Sequence, residues 1–249
     1  MSPEGSSPER FAPRTLARIY GAIGLFGIAA GFFDIAYIRG RVLIGGDAIA
    51  TAHNLLAYGA LFRSGIALHL FMVMLNVVAE VIAFFLFRRV NPLIATLALA
   101  SALVGASIES LDMLASLVPL HIAGEHTMAV FSPSQRDALS YLALQLQDAG
   151  LLISFLFWGL GELLTGYLIF RSGFLPRILG ILLGISGLVY LSDPLLSFGC
   201  PALGTILFPG ALALCLPGEL LIALWTATVG LNVEKWTQCS RAPRSRQAT

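Results

Sequence analysis

Lysine and arginine are missing from the depths of every long apolar stretch of this sequence, whereas acids are not. Charged residues of all kinds make up only 12% of the 249 positions, against 57% hydrophobic residues and a mean hydropathy of +0.84. A soluble domain carries about a quarter charged residues, so this scarcity excludes that class and points to a chain built to lie in lipid. Spans of about 20 residues each then consume most of the length and leave no room for a separate soluble domain. A net charge of +1 lacks the basic footprint of a nucleic-acid binder. Cys200, Cys215 and Cys239 are too few and too scattered for a disulfide framework.

Missing residues also remove several enzyme classes. Gly184-Ile185-Ser186-Gly187 looks like the nucleophile motif of rhomboid proteases, but no histidine follows His126, and a nucleophile without its base is not a site. Gly45-Gly46-Asp47 falls in a loop and not at membrane depth, unlike the aspartate motif of presenilin-like proteases. No pair of Glu-x-x-His repeats suits a di-iron centre. There is no P-loop and no dinucleotide fingerprint.

Hydropathy predicts an all-helical integral membrane bundle of six spans, at Leu16 to Ile38, Gly65 to Phe87, Leu93 to Leu120, Ala149 to Phe170, Ile178 to Phe198 and Leu203 to Leu231. Residues 15–237 form this domain, between a polar tail at 1–14 and a basic tail at 238–249, both expected to be disordered. The first fifteen residues lack a signal-peptide cleavage pattern, so the first span is expected to remain as an anchor. Eleven Lys and Arg residues fall on the side that holds Arg88, Arg89, Arg171 and Lys235, against Arg39, Arg41, Arg63 and Arg136 on the other. That bias places both ends of the chain in the cytoplasm, with Tyr167 and Trp236 as interfacial anchors. Between the first two spans, Asp47 is placed to cap a short interfacial helix. Ser132-Pro133-Ser134-Gln135 has the capping-box pattern and predicts a helix that starts there and runs into the fourth span.

Eight of the fourteen carboxylates lie inside the apolar stretches: Asp34, Glu80, Glu109, Asp112, Asp148, Glu162, Asp193 and Glu219. An acid near a helix centre costs roughly 2.5 to 3.5 kcal/mol on insertion scales, so such groups are expected to face protein or a wet cavity. His69, Met72, Asn76 and Glu80 share one helical stripe, as do Gly105, Glu109 and Asp112, and as do Asp148, Phe155 and Glu162. Counted at 1.5 Å per residue, Glu80, Glu162 and Glu219 lie roughly 10 to 18 Å from the cytoplasmic ends, at comparable depth. The candidate path residues are therefore Glu80, Glu162, Glu219, Glu109, Asp112, Asn76 and His69. Against this stands a bland alternative, in which neutral acids merely hydrogen-bond between helices, Asp34, Asp148 and Asp193 cap or flank spans, and His69 is a packing residue. Pro209-Gly210 and Pro217-Gly218 are expected to kink or unwind the last span beside Glu219. The Gly27/Gly31 and Gly180/Gly184 pairs are expected to permit close helix contact.

The segment GDAIATAHNLLAYGALFRSGIALHL, the stretch GYLIFRSGFLPRILGILLGISGLVYLSD and the closing PGELLIALWTATVGLNVEKW resemble a bacterial multi-pass family known only as a domain of unknown function. The resemblance covers about Leu16 to Trp236. It implies a six-span inner-membrane protein and brings no activity, cofactor or catalytic residue with it. In that family's pattern Asp is commoner at the positions of His69 and Asn76, and His at that of Glu162. Each position thus stays polar without one fixed catalytic role.

Three functions fit these residues. The first is a proton- or cation-coupled transporter of a small solute, working through Glu80, Glu162 and Glu219. The second is a membrane-embedded enzyme on lipid or small hydrophobic molecules, using His69 with Glu109 or Asp112 as acid, base or metal ligands. The third is a non-catalytic membrane partner or sensor. The transport-like role is the one adopted, with no resident metal or cofactor, and with membrane lipids and a small solute as the partners expected.

Overall fold

A computed structural model of the chain describes residues 12–124, 130–207 and 210–241, all helical or connecting. Helix α1 (Pro13–Phe33) runs without a break into a π-helical segment (Asp34–Arg39) and the short α2 (Gly40–Val42), a continuous rod of 30 residues. Then come α3 (Ala48–Ala57), α4 (Gly59–Phe87), α5 (Pro92–Gly124), α6 (Pro133–Ser172), α7 (Arg177–Gly199), α8 (Pro201–Leu207), a 3-10 turn at Ala211–Leu214, α9 (Cys215–Thr228) and α10 (Val233–Arg241). The rod and α4 to α7 are each long and apolar enough to cross a bilayer. This is a multi-pass membrane protein.

The two capping signals read from the sequence are in place. Asp47 Oδ1 accepts from the Ala50 N–H at 2.9 Å and starts α3. Ser132 and Gln135 form the reciprocal box, with the Ser132 N–H donating to Gln135 Oε1 at 2.8 Å and the Gln135 N–H to Ser132 Oγ at 3.3 Å. Helix α6 therefore starts as expected and runs on through the fourth span. Pro13 and Arg14 already belong to α1, and α10 reaches Arg241. Residues 1–11 and 242–249, and Pro209, lie outside the described residues.

The sixth span departs from expectation. It is not one helix from Leu203 to Leu231 but a 14-residue α9, approached through the 3-10 turn and followed by α10 at a bend of 102°. Pro217 sits in the first turn of α9, where an amide has no helical partner to lose, so it fits the start of a helix and does not kink one. The far end of α9 is fixed by distant residues. Arg14 and Arg18 of α1 donate to the Val229 and Thr228 carbonyls at 3.3 Å, where cations also suit the helix dipole. Gly230 turns the chain at φ +77°, a conformation that costs glycine little. Asn232 then caps α10 through its side chain, 3.0 Å from the Lys235 N–H.

Trp236 on α10 is not an exposed interfacial anchor. It is 5% exposed and donates its indole N–H to the Leu86 carbonyl at 3.0 Å, with the Arg89 guanidinium 3.6 Å from its ring centre. Truncation of a buried aromatic costs about 3 to 5 kcal/mol. Trp236→Ala is therefore expected to lower the midpoint of denaturant unfolding by that order and to expose α10 to limited proteolysis, which reports its detachment directly.

Packing divides the bundle into two apolar clusters. One joins the start of α1, the ends of α4 and α9, the α6–α7 connection and Trp236, and includes Leu86, Phe87, Leu168, Phe174, Leu179 and Leu231. The rings of Phe87 and Phe174 stack there at 5.6 Å. The other joins Ile38, Val42, Leu55, Phe62 and Leu144 at the opposite end. Helices α6 and α7 meet backbone to backbone. A Cβ added at Gly180 would lie 2.5 Å from the Gly166 carbonyl oxygen, and one at Gly187 2.7 Å from that of Gly159.

Candidate functional site

Between the two clusters the helices diverge around a cavity of about 430 Å³. Its floor touches the larger cluster at Leu183, and its rim includes the exposed Phe32 and Ile35. One face of α1 forms a wall with Tyr20, Gly24, Gly27 and Gly31. Here the glycines do the opposite of what their spacing suggests. A Cβ at Gly31 would meet nothing within 4 Å, and one at Gly27 would be 3.8 Å from Asn76 Oδ1, so this pair opens space where Gly180 removes it.

Glu80 of α4, Glu162 of α6 and Glu219 of α9 all line this cavity. Each comes from the polar stripe of its own helix, and Asn76 and Met72 lie on the Glu80 stripe beside them. Glu162 lies within electrostatic reach of both other glutamates, and Tyr20 within reach of all three. Glu219 Oε1 accepts from the Tyr190 hydroxyl at 2.7 Å. Glu162 Oε2 is buried with no hydrogen-bond partner among the described residues. No Lys, Arg or His lines the cavity among those residues.

Glu109 connects this cavity to a second group of polar residues. It is 5% exposed; its Oε1 shares a hydrogen bond of 2.9 Å with His69 Nε2, and its Oε2 accepts from the Trp158 indole N–H at 2.8 Å. His69 thus touches Glu109 but does not line the cavity. Asp112 lies over Gly150, away from the cavity lining, in the field of Arg39, Asp148, His69 and Glu109, and its Oδ2 is buried without a partner among the described residues. No three His, Cys, Asp or Glu side chains among those residues come together in a way that could hold a metal ion.

Three acids that the sequence places near span ends have other surroundings. Asp34 opens the π-helical segment inside the continuous rod and faces the Gly65 backbone of α4. Asp148 is paired with Arg39 in a salt bridge. Asp193, 2% exposed, sits within α7 and accepts from Ser197 at 3.0 Å. Ser186, of the protease-like motif, is fully buried and donates to the Cys215 carbonyl at 3.0 Å, which joins α7 to α9.

Sequence reasoning does not single out Arg39, Tyr20, Trp158 or Tyr190. A signal exists for the last two, because a Trp N–H or a Tyr O–H at membrane depth needs an acceptor, and carboxylates are the acceptors at hand. Arg39 passes for a loop residue because hydropathy ends the first span at Ile38, whereas the rod continues through Val42.

The model of DUF4386, a domain of unknown function, matches residues 19–230. The chain belongs to the DUF4386 family. Every acid that lines the cavity lies inside the matched region, whereas α10 lies beyond it. An uncharacterized protein of Archaeoglobus fulgidus is 27% identical over 164 residues, covering 66% of this chain and 82% of the archaeal one. Similarity to this DUF4386 protein thus extends to an archaeon. No solved structure matches it.

Proposed function

We propose that this protein is a proton- or cation-coupled transporter of a small solute, with Glu80, Glu162 and Glu219 as the groups that exchange protons or a cation. The observation that carries this reading is the meeting of four carboxylates from four helices, Glu109 beside Glu80, Glu162 and Glu219, on one cavity whose described lining holds no basic residue. Acids at membrane depth commonly mark ion and substrate pathways. The 3-10 turn at Ala211–Leu214, one turn before Glu219, supports the same reading, since irregular helix segments supply such sites in transporters. So does the asymmetry of the cavity, which is floored by a packed apolar cluster and reaches exposed residues at its rim. On this reading the floor faces the cytoplasm and α3 lies at the outer interface of a bacterial inner membrane, an orientation that the bias of Lys and Arg supports.

Proteoliposome flux tests the reading. Purified protein is expected to carry protons or a monovalent cation down an imposed gradient, and Glu162→Gln to lower the rate at least tenfold, with Glu80→Gln and Glu219→Gln following it. Variants that elute and melt like the parent protein yet leave the flux unchanged would refute the transporter.

A further inference from the structure

The cavity has a chemistry that selects among solutes. Its described lining offers carboxyl groups and aromatic surface and no basic side chain, so an anionic solute would enter without a partner. A bare divalent metal ion is a poor match as well. Such ions want six or more oxygens gathered at about 2 to 2.6 Å, and here no three acidic, His or Cys side chains among the described residues gather tightly enough to ligate one. The carboxyl groups are instead spread around a volume of about 430 Å³, within the range of ordinary small-molecule sites.

The walls fit a body larger than an ion. Phe155 and Tyr190 form a tilted pair with ring centres 4.9 Å apart, and Glu219 fixes the Tyr190 hydroxyl. Trp158 is held by its N–H on Glu109. Tyr20 completes the aromatic lining across from them on α1, beside the glycine face that leaves the space open. Aromatic rings with a nearby carboxylate are the usual recognition chemistry for an ammonium bearing carbon substituents. Glu162 Oε2, buried without a partner among the described residues on this wall, supplies a carboxyl oxygen that an amine would meet with an N–H and a quaternary ammonium with its charge alone.

We propose that the cavity binds a small organic monocation, an amine or quaternary ammonium with an apolar body, its charge held among Glu80, Glu162 and Glu219 and its body against Phe155, Trp158 and Tyr190. The inference deepens the transport reading and rests on the same cavity, but binding can be measured without flux. The experiment is calorimetric titration of the full chain in lipid nanodiscs with benzyltrimethylammonium. Benzyldimethylamine N-oxide, of nearly the same shape and no net charge, is the comparison, and sodium chloride the constant background.

The cation is expected to bind saturably and at least tenfold tighter than the N-oxide. Glu162→Gln is expected to weaken it at least tenfold and Phe155→Leu several-fold. Glu162→Asp is expected to keep most of the affinity, and Glu234→Gln on α10 all of it. Should Glu162→Gln fail to fold, Glu80→Gln in its place makes the same comparison. No saturable heat, equal affinity for the N-oxide, or full affinity in folded glutamine variants would each overturn the proposal. Binding without any flux would leave the binding site standing and remove the transporter, whereas proton flux without cation binding would do the reverse.

Discussion

Glu109→Leu is expected to destabilise the folded bundle by about 3 kcal/mol, and Glu109→Gln by no more than about 1 kcal/mol. The leucine fills similar space but leaves two part-buried polar groups, the Trp158 indole N–H and His69 Nε2, without the oxygens they now contact at 2.8 and 2.9 Å. Each such orphan costs about 1 to 3 kcal/mol. Hydrogen bonds between membrane helices average only about 0.6 kcal/mol net, so the bond energies alone would predict a milder loss. The larger figure holds here because one side chain satisfies partners on two other helices, and removing it strands both at once. Glutamine retains a carbonyl oxygen for the indole and an amide that can reach the imidazole. Chemical unfolding of the two variants, followed by helical circular dichroism, checks the difference; equal midpoints would show that Glu109 is not the joint between α4, α5 and α6.

Gly180→Ala and Gly31→Ala are expected to move stability in opposite directions. At Gly180 the new methyl would lie 2.5 Å from the Gly166 carbonyl oxygen and 2.7 Å from the Phe170 nitrogen, both backbone atoms of α6 that cannot turn aside. Overpacking in a core costs about 1 to 3 kcal/mol, and here the only relief is to push α6 and α7 apart over much of their length, which sets the expected loss at about 3 kcal/mol. At Gly31 nothing lies within 4 Å. Alanine there gains about 0.5 to 1 kcal/mol from helix propensity and a less flexible unfolded chain. Paired thermal melts in one detergent decide the matter, and a Gly180→Ala protein as stable as its parent would rule out the backbone contact between α6 and α7.

The same two glycine pairs show what the sequence can and cannot say. Gly27/Gly31 and Gly180/Gly184 have identical spacing, and spacing alone assigns both to close contact. What separates them is the neighbour across the helix, a tertiary fact that no local pattern carries. Helix starts are legible because their determinants are local: Asp47 and Ser132 bond to residues three positions on. Polar stripes are legible for the same reason, and they lead to Glu80, Glu162 and Glu219 without any knowledge of contacts between helices. The end of α9 is not legible, since Arg14 and Arg18, more than 200 positions away, cap its carbonyls. Trp236 misleads because an aromatic near a span end is usually an anchor in the headgroups, and only the Leu86 carbonyl turns it inward.

Helix α6 has 40 residues, about 60 Å of rod, against a hydrocarbon core near 30 Å thick. A tilt of about 20° shortens its reach by only a few ångströms. With the Arg171 end at one surface, a bilayer of about 40 to 45 Å with its headgroups leaves roughly 10 to 15 Å of helix at the Pro133 end. This end is not a bare spike: Tyr141 accepts the Gly46 N–H at 2.8 Å, and Arg39 reaches Asp148 from the first rod. The length of α6 in excess of a span is therefore an ordered part of the bundle, tied to the segment that leads into α3 and to the first rod.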